Sequence, residues 1–224
     1  MSGVELGTRL VQAIVRVIVR VLYRFRARGL EHIPPQGAAI LVCNHISFID
    51  PVIVGAAIRR PVRFVMDHRI YRTPGLHWLF RLVGAIPIAP RHEDPATFDR
   101  AFDRIAELLE AGELLCIFPE GKITHTGELN EFRLGIERVL ERTPVPVLPM
   151  ALRGLWGSFF SRKDGAAMRK LPRRFRARVQ LHCGPAIPPQ HASAARLRTL
   201  VLELLGEAPA APAHPGDAAA ERSA

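Results

Sequence analysis

Six short apolar runs recur along this chain, and the stretches between several of them carry helical spacing. The runs are 38–43, 61–67, 85–89, 113–121, 145–152 and 176–184. Each is too short for a buried helix and rich in Val, Ile, Leu or Phe, which predicts buried strands. Between the third and fourth runs, Phe98, Ala101, Phe102, Ile105, Leu108 and Leu109 mark one face of a helix that closes at Gly112. Asp50-Pro51 and Asp94-Pro95 read as N-caps followed by proline in the first helical turn. "RLGIERVLERT" and "ASAARLRTLVLELLGE" supply later helices. Alternation of this kind predicts an α/β fold: one domain with a central, mostly parallel or mixed sheet flanked by helices.

At 224 residues, 48% of them hydrophobic, the chain is long enough for one domain with a sizeable core. The expected organisation is an amphipathic helix over 1–28, an α/β domain over 29–206, and a disordered Pro/Ala-rich tail over 207–224. In residues 8–28, six arginines and no acid sit among apolar residues. Arg16, Arg20, Arg24 and Arg28 recur every fourth position, which on a helix draws one stripe facing lipid phosphates while Val, Ile and Leu enter the membrane interface. A helix packed on the domain with a solvated arginine edge fits the same spacing, and so does a strand in "VRVIVRV". No cleavable leader is expected, and no apolar run approaches the ~18 residues needed to span a bilayer.

The formal charge of +10 calls for an anionic partner. With aromatics at 7% and no paired RNA-binding motif, a membrane fits better than a nucleic acid. Trp156, between basic residues in "RGLWGSFFSRKDG", suits a lipid interface or a satellite core cluster equally. The basic run 162–178 faces lipid head groups, an acidic carrier protein or solvent. Three cysteines without a CxxC pair exclude a disulfide frame and a zinc cluster, and no metal is called for.

Two strand-ending turns carry chemistry: "NHISFID" (44–50) and "FPEGKIT" (118–124). Polar groups at the end of a buried strand are costly unless they are used. On a regular helix His45 and Asp50 would face apart, but a strand-to-helix bend could return the carboxylate to the ring, fixing its tautomer and freeing the other nitrogen as a base. Read alone, the pair equally describes a satisfied histidine and a helix cap.

These turns together resemble the glycerolipid acyltransferase family, which includes the lysophosphatidic acid acyltransferases. Its first motif, Asn-His-x-Ser-x-x-Asp, is matched at Asn44, His45, Ser47 and Asp50. Its third is matched at Phe118, Pro119, Glu120 and Gly121. "GAIPIAPR", Gly84 to Arg91, approximates the second, and "VPVLPMAL" the last. Lys122-Ile123-Thr124 departs from the usual Thr-Arg-Ser, and "FPEGKITHTGELNEF" is closer to members acting on lysophosphatidylethanolamine.

The resemblance implies transfer of an acyl group from acyl-CoA or acyl carrier protein to the hydroxyl of a lysophospholipid, 1-acylglycerol-3-phosphate first among them, with no bound cofactor and no nucleic-acid partner. His45 would be the base, held by Asp50. Arg91, then Lys122, would meet the acceptor's phosphate, Glu120 would orient Arg91 or accept a glycerol hydroxyl, and Gly121 would allow close backbone approach. Asn44, Ser47, Phe118 and Pro119 would support the motifs. The expected location is the cytoplasmic face of the inner membrane, peripherally bound. The rivals are a thioesterase and a non-catalytic basic membrane- or nucleic-acid-binding protein.

Overall fold

The computed structural model describes residues 3–163, 165, 167–168 and 176–206, with the backbone alone for residues 3–12. The expected tail over 207–224, and residues 169–175 of the basic run, lie outside the described residues.

Seven strands form one sheet: β1 (Tyr23–Arg28), β2 (Ala39–Cys43), β3 (Val62–Asp67), β4 (Ile86–Ile88), β5 (Leu114–Ile117), β6 (Val147–Arg153) and β7 (Ala177–Cys183). Their order is β1-β7-β6-β2-β5-β3-β4. Every neighbouring pair is parallel except β6 with β7. β2 sits at the centre, and all five of its residues are fully buried. This is why its sequence, AILVC, is continuously apolar rather than alternating.

Helices cover both faces. On one, α1 (Gly3–Leu22) and α2 (Asp50–Ala57) bury Leu41, Cys43, Ile53, Val54, Leu148 and Met150. On the other, α5 (Pro95–Glu110), α6 (Gly135–Arg142) and α7 (Ala194–Leu205) bury Ile40, Val42, Ile105, Leu115, Ile136 and Leu197. The short helices α3 (His68–Tyr71) and α4 (His77–Leu82) lie between β3 and β4. The α/β architecture with a mostly parallel mixed sheet is thus the one the sequence predicts. Asp94 caps α5 by accepting from the Thr97 N–H, and Pro95 follows it, as the sequence reading requires.

The first 28 residues depart from expectation. The helix stops at Leu22, and residues 23–28 form the edge strand β1, paired in register with β7. The cause is visible in YRFRAR: Tyr23, Phe25 and Ala27 turn inward while Arg24, Arg26 and Arg28 are exposed, a period of two rather than of 3.6. Arg24 therefore stands on a strand, not in a helical stripe. Arg16 does not face outward either. Its guanidinium donates to the carbonyls of Ala56 and Ile58 at 3.0 and 3.3 Å, satisfying the carboxyl end of α2. Of the four arginines placed on that stripe, Arg20 alone is an exposed residue of α1, since Arg24 and Arg28 stand on β1. The outward face of α1 is instead apolar: Ile14, Val17, Ile18 and Val21 are 47–62% exposed. Among the described residues, no helix is long and apolar enough to cross a membrane.

Candidate active site

The carboxyl ends of the adjacent strands β2 and β5 carry the two polar motifs, so the sheet order itself brings them together. The chain leaves β2 at Cys43 and enters α2 at Asp50. Asp50 is not the cap of that helix. Ile49 holds the cap position, and the Asp50 carboxylate turns back into the loop. One oxygen, Oδ2, accepts from the N–H groups of Ile46 (2.7 Å) and Ser47 (2.8 Å) and from the Nδ1 of His45 (2.8 Å). Asp50 is fully buried, whereas the His45 side chain is 18% exposed. The bend does what a regular helix could not: it holds an imidazole by one nitrogen and leaves Nε2 toward the surface.

Phe118 stacks on the His45 ring with centroids 4.3 Å apart and planes inclined by 22°. The ring is thus fixed both by a hydrogen bond and by a face contact. Burial pushes the Asp50 carboxyl above its usual range, opposed by the His45 hydrogen bond and the two backbone donors. The Cys43 thiol, beside the motif but fully buried, is pushed well above its ordinary value by the same desolvation, which removes it as a nucleophile.

Glu120 is where the arrangement departs from the sequence reading. It is 2% exposed, and both carboxylate oxygens accept protein donors: Oε1 accepts the His45 backbone N–H at 2.6 Å, and Oε2 accepts the backbone and side-chain N–H groups of Asn130 at 2.9 and 2.6 Å. Its bonds run to His45 and Asn130, with none to Arg91. It ties the β5 turn to the histidine's own backbone. Burial raises its pKa while the Asn130 and His45 donors lower it.

Asn44 does similar work toward β6, exchanging two hydrogen bonds with the Leu152 backbone at 3.0 and 2.7 Å. Ser47 is fully buried, and its hydroxyl accepts the Ile49 N–H at 3.4 Å, a local turn bond. It also forms a bridge to Ser161, so the segment after β6 closes against the motif. The Pro119 carbonyl accepts the Arg133 N–H.

The expected cations and the glycine are placed less centrally. Arg91 is exposed in the turn after β4, three strands from β2. Lys122 is exposed just past the β5 turn. Gly121 adopts φ +65, and an added Cβ would lie 2.7 Å from the Arg133 guanidinium, so its missing side chain admits that arginine. Trp156, expected at a lipid interface, is half-buried with its indole against Gly127. It lines a cavity of about 230 Å³ shared with Asn44, Ile46 and Glu120.

Asn130, Arg133 and Arg162 escaped the sequence reading. Arg162 lies over the Phe48 ring at 5.7 Å and donates to Nε2 of His125 at 3.0 Å, which spans the turns after β5 and β6. No spacing in the sequence announces these partners, because they meet through the sheet and not along the chain.

Comparison with known proteins agrees with this geometry. A family model for acyltransferases matches residues 24–153, a span that holds both motifs. The chain is 30% identical over 133 residues to a chloroplastic 1-acyl-sn-glycerol-3-phosphate acyltransferase of Arabidopsis thaliana, covering 59% of this chain and 36% of that one. It is 26% identical over 135 residues to a probable 1-acyl-sn-glycerol-3-phosphate acyltransferase of Mycoplasma pneumoniae, covering 58% and 49% respectively. The chain thus spans from about a third to a half of the length of these curated relatives. The fold is shared with the crystal structure of a 1-acyl-sn-glycerophosphate acyltransferase, PlsC, from Thermotoga maritima, at a TM-score of 0.66 and 21% identity over 92% of this chain and 82% of that one.

Proposed function

The chain belongs to the acyltransferase family, and on that premise we propose that it moves a fatty acyl group from a thioester to the hydroxyl of a lysophospholipid, 1-acylglycerol-3-phosphate foremost. The observation that carries this reading is the His45–Asp50 hydrogen bond of 2.8 Å within a turn whose backbone donors the same carboxylate holds. An imidazole anchored at Nδ1 presents Nε2 as a general base. It takes the proton of the acceptor hydroxyl as that oxygen attacks the thioester carbonyl. The acyl–oxygen bond forms, the carbon–sulfur bond breaks, and the proton passes from His45 to the departing thiolate. No covalent acyl-enzyme is needed, consistent with a buried Ser47 engaged in its own turn and a buried Cys43. The donor is acyl-CoA or acyl carrier protein.

The acceptor's phosphate meets cations at the rim, Arg91 and Lys122, both exposed. Peripheral attachment to the membrane runs through the outward apolar face of α1, with Arg20 at its border, on the leaflet facing the thioester pool. Burying four such side chains in the interface is worth about 1.5–3 kcal/mol each if complete.

The test incubates labelled acyl-CoA with the protein, with and without lysophosphatidic acid or lysophosphatidylethanolamine. Labelled phosphatidic acid is expected, and its yield should fall by about 10²–10⁴ in His45→Ala. Free fatty acid alone would make the chain a thioesterase. Labelled phosphatidylethanolamine alone would move the head group. A folded His45→Ala variant with near-normal turnover overturns the mechanism.

A further inference from the structure

A second concavity lies away from the histidine. It is a groove of about 460 Å³ along the outer side of the edge strand β4, with α4 on one bank and the start of α5 on the other. Arg72, His77 and Arg81 line the first bank, and Thr97, Arg100 and Arg104 the second; no acidic side chain is among the lining residues.

The spacings place these groups on facing sides: His77 and Arg81 are four apart on α4, and Arg100 and Arg104 four apart on α5. Like charges at that spacing repel on a helix, so the pattern works against α5 itself. Arg104 is paired with exposed Glu107, and Arg100 donates to the Thr97 hydroxyl. Arg72 and Arg81 have no carboxylate within ion-pairing distance among the described residues. The positive field reaches the groove's rim: the exposed Asp94 carboxyl is held below its ordinary range, first by its bonds to Thr97 and further by Arg100 and Arg72.

Four guanidinium forks in one groove suit several phosphate oxygens at once, as on a diphosphate or a phosphorylated ribose. Tyr71 and His77 meet edge to face at 4.9 Å on the same side and offer an aromatic surface to a base. Thr97 sits at the start of α5, just past the carboxyl end of β4, so that end of the groove lies at the level of the motifs. Three strand spacings separate β4 from β2, about 14 Å, a gap that an extended pantetheine arm can bridge.

We propose that this groove holds the phosphorylated nucleotide end of a coenzyme A thioester while its acyl carbon reaches His45. The proposal rests on the acyl-transfer reading above for the identity of the donor. Phosphate on a lipid head group shares the chemistry, since α4 also exposes Trp78, and the test separates the two sources.

The test uses the full chain and the double variant Arg72→Ser/Arg81→Ser, both positions being exposed. Equilibrium binding is measured for coenzyme A, for dephospho-coenzyme A and for pantetheine. The wild type should bind them in falling order. The variant should lose about tenfold or more for coenzyme A and nothing for pantetheine, and Arg72→Lys/Arg81→Lys should recover part of the loss. The KM for acyl-CoA should rise in step, with kcat held. Equal coenzyme A binding by wild type and variant overturns the proposal. So does a variant that keeps coenzyme A affinity but loses co-sedimentation with phosphatidic acid vesicles, which assigns the groove to lipid. Binding needs no turnover: a chain that binds coenzyme A through these arginines but transfers no acyl group sinks the transfer reading and leaves the groove, whereas active transfer with an indifferent KM does the reverse.

Discussion

The turn after β2 and the outer face of α1 treat their residues in opposite ways. In the turn, polar groups go inward, and Asp50, Asn44 and Ser47, joined by Glu120 from the neighbouring β5 turn, are nearly or fully buried and bonded inside the protein. On α1 apolar groups go outward, and Ile14, Val17, Ile18 and Val21 face solvent. Each arrangement is unfavourable for an isolated folded chain, by desolvation in one case and by exposed apolar surface in the other. The difference lies in what completes them. The turn makes its bonds within the protein, with Asp50 Oδ1 alone among its side-chain atoms buried without a partner, so it can be rigid before substrate arrives. The helix face has no such cover among the described residues.

That contrast is sharpest at Asp50. Alanine there strips two buried backbone N–H groups and one ring nitrogen of their shared acceptor. Each orphaned buried donor costs about 1–3 kcal/mol, so Asp50→Ala should lower unfolding free energy by about 2–5 kcal/mol in a urea titration and abolish turnover. If the variant were as stable as the wild type, the turn would not be the internally completed unit described.

Glu120→Gln should have an intermediate effect. The amide keeps the shape but offers one acceptor oxygen against donors from both His45 and Asn130, so roughly 1–3 kcal/mol of stability is lost. It also changes the pH response. With its folded pKa raised by burial, Glu120 contributes stability below the ordinary carboxylate range, and that contribution is lost as pH rises through the raised folded value. Thermal melts over that interval should slope less steeply in the glutamine variant. An unchanged slope would mean that Glu120 is ionised on both sides of folding.

How much of this was legible beforehand follows the same division. Strands such as 39–43 and helix α5 were readable because burial imposes a period on the sequence, and the motif residues because polar groups at a strand's end need a reason. Arg24 fits the every-fourth-residue pattern by coincidence: the helix ends at Leu22, and Tyr23, Phe25 and Ala27 then alternate with Arg24, Arg26 and Arg28. The role of Glu120 was invisible, since its partners, Asn130 and the His45 backbone, are fixed by the pairing of β2 with β5. The motif told which residues mattered and left open which would touch a substrate.

On the helix side the expected effects concern binding rather than folding. Val17→Asp with Val21→Asp should lower affinity for anionic vesicles by about a hundredfold, since two apolar contacts worth about 1.5 kcal/mol or more apiece are lost. Transfer to a short-chain soluble acceptor should stay unchanged. Truncation through residue 28 is a poorer test, because it removes β1 from the sheet. Retained vesicle binding in the double variant would move the docking surface elsewhere.

The smallest effect separates two arginines one turn apart. Arg20 is exposed, and a basic residue near an anionic surface contributes about 1 kcal/mol. Arg20→Ser should therefore weaken vesicle binding roughly fivefold at low salt, with the loss fading as salt rises, and leave the melting temperature alone. Arg16→Ser should do the converse, because its guanidinium is spent on the Ala56 and Ile58 carbonyls at the end of α2. It should lower stability by about 1–3 kcal/mol and leave the salt dependence of binding as it was. Should both variants weaken vesicle binding alike, the arginines would form one outward stripe after all, and the inward turn of Arg16 would not describe the bound protein.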